Sequence, residues 1–220
     1  MVLILRWSLF FFGIMFFSMG ICMAINVQYL GIQSWDVLHV GLYDLFGLTV
    51  GTWSILVGMC LVGICLIIDR TFVQIGTFIN IILIGIFVDF FLWLDFLPKA
   101  THTWTDILII LIGIVIMGLA GGMYNSGGVG AGPRDGFMLA ISHRWGFPIR
   151  RVRIITETGV LVLGFIIGGP VFIFTILFTF IQSHLFQFSF LKFNQYVYHF
   201  EMSKKGKRLP NSDISLKNNH

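Results

Sequence analysis

Two short polar stretches interrupt long apolar runs, and both place ionisable side chains beside glycine. The first is GIQSWDV, residues 31–37, which contains Asp36 and is soon followed by His39. The second is GAGPRDG, residues 130–136, which contains the adjacent charges Arg134 and Asp135. In apolar surroundings such groups are costly, and they usually face a partner or a water-filled cavity. They are therefore candidates for residues that line a substrate path.

Both stretches are predicted to begin short helices. Residues 34–46 form an amphipathic pattern, with Ser34 as the expected N-cap and Asp36 in the first turn. In the second stretch Pro133 suits the first helical position, which again places Asp135 in the first turn. Acids in this position can simply balance the helix dipole. Their paired placement favours a further role.

The composition indicates an integral membrane protein. Of the 220 residues, 57% are hydrophobic and 11% are charged, and the mean hydropathy is +0.91. A soluble fold of this size could not bury so much apolar surface. Six apolar runs approach the ~20 residues that a bilayer span requires. These runs cover residues 7–27, 50–68, 71–94, 105–124, 153–169 and 171–191.

The basic residues predict an orientation. If both termini are cytoplasmic, all 14 Lys and Arg residues except Lys99 lie on the cytoplasmic side, as the positive-inside rule favours. We therefore expect a multi-pass protein of the plasma or inner membrane, with one transmembrane domain over residues 1–193. The first run is interpreted as an uncleaved span, with a signal peptide as the alternative.

The polar C-terminal segment, residues 203–220, is expected to be a disordered cytoplasmic tail. Its KKGKR cluster can bind anionic lipid or serve only as a positive-inside anchor.

An internal repeat relates the two polar stretches. At a constant offset of 99, Gly31, Asp36 and Gly47 align with Gly130, Asp135 and Gly146. The first unit covers residues 7–95 and the second covers residues 105–191. Each unit has three predicted spans, and an odd number reverses the second unit across the membrane, as the charge distribution also requires. Chance similarity between apolar runs is the alternative. Inverted repeats are common in transporters, whose sites lie between the repeats.

Three polar side chains within the predicted spans are further candidates for the path. Asn80 lies in the middle of the third span, and His184 lies near the middle of the sixth. His184 can bond a neighbouring helix or carry a proton. Glu157 lies early in the fifth span, four residues after Arg153, so a salt bridge on one helix face is the simpler interpretation.

Several kinds of chemistry have no motif in this chain. The sequence contains no HExxH, GxSxG or P-loop pattern, and its three cysteines form no CxxC. No nucleophile–base pair is recognisable, and no nucleic-acid-binding module is present. We expect a protein that is not an enzyme, holds no metal or cofactor and does not bind nucleic acid.

The segment GAGPRDGFMLAISHRWG resembles the YczE/YyaS-type family of bacterial integral membrane proteins, which is distantly grouped with YitT-like proteins. The resemblance extends to RRVR before Glu157, to the glycine pair at 168–169, and to the upstream WDVLH and GLTVGTWS. It covers about residues 10–190. The family's Gly-x-Gly-Thr-like turn lacks its second glycine at residues 170–175, although IGT is kept at 75–77. The resemblance implies a polytopic membrane protein and implies no substrate.

Together these observations predict an all-α bundle of six transmembrane helices in two inverted three-helix repeats. Two additional short helices are either re-entrant or interfacial. The first functional hypothesis is a small-molecule transporter or permease, such as an exporter, with Asp36, His39, Arg134 and Asp135 along its path. Asn80, Glu157 and His184 are secondary candidates. The alternative is a non-transporting assembly or regulatory partner of another membrane complex. Substrate, direction, energy coupling and oligomeric state stay open.

Overall fold

The computed structural model describes residues 2–204, without the side chains of residues 179 and 204. Over these residues it is all-helical, with no strand and with two single-turn 3₁₀ helices, Gln28–Leu30 and Arg70–Phe72. The α-helices are α1 Val2–Asn26, α2 Ser34–Phe46, α3 Val50–Ile68, α4 Ile75–Leu94, α5 Thr105–Ser126, α6 Pro133–Trp145, α7 Ile149–Ile166 and α8 Ile173–Lys204.

Five of the helices, α1, α3, α4, α5 and α8, are long and apolar enough to cross a bilayer. The chain is thus a multi-pass membrane protein. The sixth predicted span corresponds to α7, which is not among the five because Arg150, Arg151, Arg153 and Glu157 lie in its first half. Helix α8 continues beyond the predicted end at residue 191. The tail was predicted to begin at residue 203, but residues 203 and 204 still belong to α8. The rest of the predicted tail, with most of its KKGKR cluster, lies outside the described residues.

The two short helices have the predicted positions. Helix α2 spans the predicted residues 34–46, and α6 begins at Pro133, with Asp36 and Asp135 in the respective first turns. The prediction that Ser34 caps α2 was wrong. Ser34 is the first helical residue, and the N-cap is Gln33, whose side chain makes no capping bond.

Close contacts at glycine set the directions of the long helices. A Cβ on Gly13 would lie 2.7 Å from the Tyr124 backbone nitrogen, and one on Gly20 would lie 2.6 Å from the Met117 side chain. The residue numbers run in opposite senses, so α1 and α5 are antiparallel. Small residues allow such approach between membrane helices. Helix α4 runs parallel to α1, since Ser18 and Cys22 donate to the carbonyls of Ile84 and Val88.

The second half has the corresponding arrangement of α5 and α8. A Cβ on Gly118 would lie 2.6 Å from the Leu185 side chain, and one on Gly122 would lie 2.5 Å from the Phe190 nitrogen. These numbers rise together, so α8 is parallel to α5, as α4 is to α1.

Each short helix packs against the long helix that follows the other short helix in the chain. Helix α2 contacts α7, where Gly164 leaves room for Val37. Helix α6 contacts α3, where the Cys65 thiol lies 3.6 Å from the Gly136 carbonyl. This exchange brings the first turns of α2 and α6 toward one another in the centre of the bundle.

The segments that precede the short helices are also fixed by close packing. A Cβ on Gly130 would lie 2.6 Å from the backbone of Gly76 and Thr77, and one on Gly31 would lie 2.9 Å from the backbone of Phe172. Gly31 has a φ of 99°, a conformation that glycine adopts readily. Residues 170–175 lack the second glycine of the family's turn. Their backbone nevertheless packs closely against another segment, because Gly31 has no side chain there.

We expect Gly76→Ala to destabilise the fold. Its methyl group would lie 2.6 Å from the carbonyl carbon of Val129 and 2.8 Å from the nitrogen of Gly130, and backbone atoms cannot rotate away. Overpacking of this kind costs ~1–3 kcal/mol. Thermal unfolding in detergent measures the loss. The control is Gly63→Ala, where nothing lies within 4 Å of the new atom. Equal midpoints for the two variants would contradict the assignment.

Candidate functional site

A buried ion pair joins the first turns of α2 and α6. The Arg134 guanidinium donates to Asp36 across 3.5 Å, with the Asp36 side chain 2% exposed and that of Arg134 19% exposed. The same guanidinium lies 5.2 Å from the centre of the Trp35 ring, within the range of a cation–π interaction. One turn along α2, the Nδ1 atom of His39 lies 3.7 Å from the Asp36 carboxylate. An acid of the first half and an arginine of the second thus share one site.

A second pair links α6 to α7. Arg153 donates to Asp135 across 3.3 Å. The sequence suggested a bridge between Arg153 and Glu157 on one face of α7, but the arginine points to the acid of α6 instead. Glu157 lies one turn further along α7, in the wall of the same cavity.

The two pairs border a cavity of about 100 Å³ in the centre of the bundle. Its polar wall includes Gln33, His39, Asn80, Asp135, Glu157 and Gln182, and its aromatic wall includes Phe17, Trp35, Tyr124 and Phe186. Both halves of the chain contribute to each wall. A volume of this size holds a few water molecules or one small solute.

Several buried polar atoms beside this cavity have no partner among the residues that the structure describes. Asn80 is 0% exposed, and neither its amide oxygen nor its amide nitrogen makes a hydrogen bond to any described residue. One oxygen of Asp36 and the amide oxygen of Gln33 are likewise unpartnered. A buried polar group left unsatisfied costs about 1–3 kcal/mol. These atoms therefore favour a polar molecule in the cavity.

Because Gly132 has no side chain, the cavity stays open beside Asn80 and Asp135. A Cβ at Gly132 would lie 3.1 Å from the Tyr124 hydroxyl and 3.8 Å from oxygens of both Asn80 and Asp135. Three oxygen atoms from three helices thus surround the space where a side chain would be.

The lining residues form pairs at the offset of the internal repeat. Six pairs of wall residues are separated by 99 positions: Gln33 and Gly132, Trp35 and Arg134, His39 and Met138, Ser54 and Arg153, Gly58 and Glu157, and Ile84 and Ser183. Corresponding positions of the two halves thus surround a single space.

The structure brings together six of the seven residues chosen from the sequence. Asp36, His39, Asn80, Arg134, Asp135 and Glu157 all line or adjoin the cavity. His184 lies elsewhere: it is exposed on α8, and its Nδ1 atom is 2.8 Å from the Phe180 carbonyl of the same helix. Gln182 and Ser183, its neighbours in sequence, line the cavity instead.

Three residues of the site were missed by the sequence analysis. The spacing in the sequence predicts Arg153 as a local partner of Glu157, and none of the patterns above points to Gln33 or Tyr124. The offset of 99 could have found Arg153, since it corresponds to Ser54 on the equivalent turn of α3. Tyr124 carries no such signal, because an aromatic residue near the end of a span is also typical of a membrane interface.

A second cavity, of about 460 Å³, lies among the ends of α1, α2, α3 and α4. Val40, Tyr43, Asp89 and Trp93 are in its wall. The Asp89 carboxylate accepts from Thr49 and from the Gly51 nitrogen at 2.6 and 2.9 Å, which stabilises the start of α3. His39 and Tyr43 share a face of α2, so this face runs from the central cavity to the second one.

Polar contacts outside the spans fix the connecting segments. The Tyr29 hydroxyl donates to Asp106 across 2.6 Å, and this bond to a carboxylate raises the tyrosine pKa. At the opposite end, hydrogen bonds from Thr71 and then from His143 lower the pKa of Asp69. His143 lies 2.7 Å from Asp69, so α6 is tied to the turn between α3 and α4.

Fold and site together define a multi-pass, all-helical membrane protein with a buried ionic cavity at the meeting point of its two halves. The chain belongs to a family of unknown function, DUF6198, whose model matches residues 4–191. It is 38% identical to the uncharacterized membrane protein YczE of Bacillus subtilis, over 85% of this chain and 86% of that protein.

Two further relatives are uncharacterized proteins. YyaS of Bacillus subtilis is 33% identical over 75% of this chain and 82% of its own length. A Haemophilus influenzae protein is 34% identical over 68% of this chain and 67% of its own length. No solved structure matches the chain.

The Asp36–Arg134 pair yields a prediction about stability. Arg134→Gln should cost about 3 kcal/mol, because it leaves a buried carboxylate without its partner. Adding Asp36→Asn should recover most of that loss. Arg153→Gln should cost less, about 1 kcal/mol, since both members of that pair are more exposed, at 38% and 28%. Denaturant titrations in micelles compare the variants. A double variant no more stable than Arg134→Gln alone would refute the pairing.

Proposed function

We propose that this protein is a small-molecule transporter or permease of the inverted-repeat type, whose path passes through the central cavity. The observation that carries the proposal is Asn80, fully buried and unpartnered, at a cavity that both halves line with residues in corresponding positions. Transporter sites commonly form between repeats near the bilayer midplane.

The packing supports the inverted arrangement. Helices α2 and α6 have bounds that differ by 99 at both ends, and α3 and α7 start 99 residues apart. Antiparallel contact between α1 and α5, with α4 parallel to α1 and α8 parallel to α5, fits two reversed units. The proposal makes α7 the sixth span, because Arg153 pairs with Asp135 of α6, Glu157 lines the central cavity, and the helix beyond Glu157 is apolar.

The second cavity supports a route that leads out of the central cavity. His39 lines the central cavity beside Asp36, and Tyr43, on the same face of α2, borders the second cavity. In the orientation that the basic residues predict, the second cavity is on the outer side. We propose that this face of α2 forms the outer half of the path.

The alternative, a non-transporting partner of another membrane complex, has one specific observation in its favour. The 32 residues of α8 span about 48 Å, well beyond the ~30 Å hydrocarbon core. The extension carries exposed Tyr196 and Tyr198, and an ion pair between Arg6 and Glu201 holds it near the start of α1. Such an extension offers a docking surface. In either case we propose that the chain is not an enzyme.

Substitutions at the cavity test the transporter proposal. Asn80→Leu removes the unpartnered amide at similar volume, so it should leave stability unchanged or raise it, while solute flux into proteoliposomes falls at least tenfold. Asp36→Asn and Asp135→Asn should also lower flux. Asp95→Asn is the matched control, because Asp95 is exposed and its ion-pair partner is Lys99, outside the cavity. Full flux in the Asn80→Leu protein would reject the path.

Labelling of single cysteines tests the inversion. In a background with Cys22, Cys60 and Cys65 replaced, Leu45→Cys and Arg144→Cys place thiols at equivalent, exposed positions near the ends of α2 and α6. A membrane-impermeant maleimide should label position 45 from outside and position 144 from the cytoplasm. Labelling of both positions from the same side would disprove the inverted repeat.

A further inference from the structure

Resting on the proposed function, we infer that the solute is a small monovalent organic cation with N–H donors, of the ammonium or guanidinium class. The first argument is charge. Three carboxyl groups adjoin the central cavity, those of Asp36, Asp135 and Glu157. They face two guanidinium groups, those of Arg134 and Arg153. With all three carboxyl groups ionised and His39 neutral, the site holds one excess negative charge.

Glu157 is the carboxylate to which we assign the excess charge. Arg134 is paired with Asp36 and Arg153 with Asp135. Within residues 2–204, no hydrogen bond or ion pair reaches the carboxylate of Glu157. A charge in such surroundings is stable only when it is paired. A cation in the cavity would complete a third pair and leave the whole site neutral.

The unpartnered atoms match a donor-rich solute. Three are acceptor oxygens, on Gln33, Asp36 and Asn80, and one is a donor, the Asn80 amide nitrogen. Ammonium and guanidinium groups present only donors, three or more each. An anion would meet these oxygens with like partial charge and would leave them unsatisfied.

The aromatic wall also favours a cation. Trp35, Tyr124, Phe17 and Phe186 line the cavity, and the faces of such rings attract ammonium and guanidinium groups. Arg134 already uses the Trp35 ring in this way. The rings of Tyr124, Phe17 and Phe186 can make the same cation–π interaction with a solute.

The volume limits the size of the solute. A cavity of ~150 Å³ holds benzene, which has six non-hydrogen atoms. The central cavity, at about 100 Å³, therefore fits about four. Methylammonium and guanidinium are within this limit, whereas larger amines require the helices to move apart.

The experiment compares three planar probes that each contain about four non-hydrogen atoms but differ in charge: guanidinium, urea and nitrate. Each is added, below the concentrations that unfold proteins, to the purified full-length chain in detergent, with sodium chloride as the salt control. Binding is measured by the shift of the thermal midpoint and by calorimetry. Guanidinium should bind, and urea and nitrate should bind at least tenfold more weakly.

Two variants locate the binding. Glu157→Gln should weaken guanidinium binding about tenfold or more, the usual contribution of a charge-assisted hydrogen bond. Glu201→Gln, the same change at the far end of α8, should leave binding unchanged. Gly132→Ala fills the cavity without changing charge and should also weaken binding. If Glu157→Gln does not fold, Gly132→Ala is the variant that tests the location of binding.

The result that overturns the inference is equal or stronger binding of nitrate or urea. Equal binding of urea would mean that a proton already neutralises the site. Guanidinium affinity that neither Glu157→Gln nor Gly132→Ala changes would place the cation elsewhere. Cation binding without flux in proteoliposomes would support this inference and sink the transporter proposal. Flux of a different solute without cation binding would support the transporter proposal and overturn the inference of a cation.

Discussion

Neutralisation of a buried carboxylate is the constraint on which the centre of this protein depends. Asp36 lies in a helical membrane bundle at 2% side-chain exposure, where an unpaired charge would be prohibitively costly. Its counter-charge, Arg134, comes from the other half of the chain. The pair can form only if α2 and α6 meet at their first turns, and that requires each short helix to pack against the helix following the other.

This meeting is possible because residues without bulky side chains are present where backbones approach. Gly164 admits Val37 from α2, and Gly130 admits the start of α4. In a bilayer, helices gain little from the hydrophobic effect when they associate, so close van der Waals contact must supply much of the stability. The glycines therefore determine where the short helices lie, and the ion pair determines which ends face one another.

Much of the fold could be predicted from the sequence, because its strongest signals are local. Apolar runs and first-turn acids gave the bounds of α2 and the start of α6, and Pro133 gave the register. The site was harder. Pairing of Arg153 with Asp135 rather than Glu157 depends on the packing of α6 against α7, which an i, i+4 pattern does not reveal. The orientation of His184 away from the cavity likewise depends on how α8 rotates against α5.

The charges around the cavity are distributed unequally between the halves, and the proposed symmetry explains why. The two-fold axis of the proposed repeat would bring equivalent positions face to face, and Arg134 does lie over Trp35, its counterpart at an offset of 99. Two arginines at that distance in a low dielectric would repel strongly. One member of the pair must therefore be uncharged, and an aromatic ring is the neutral partner that still attracts a guanidinium. Ser54 and Gly58, the counterparts of Arg153 and Glu157, are likewise uncharged and line the same cavity. Where a residue faces its own counterpart on the proposed axis, only one half can therefore carry a charge, whereas Asp36 and Asp135 can both be acidic because each has its own arginine.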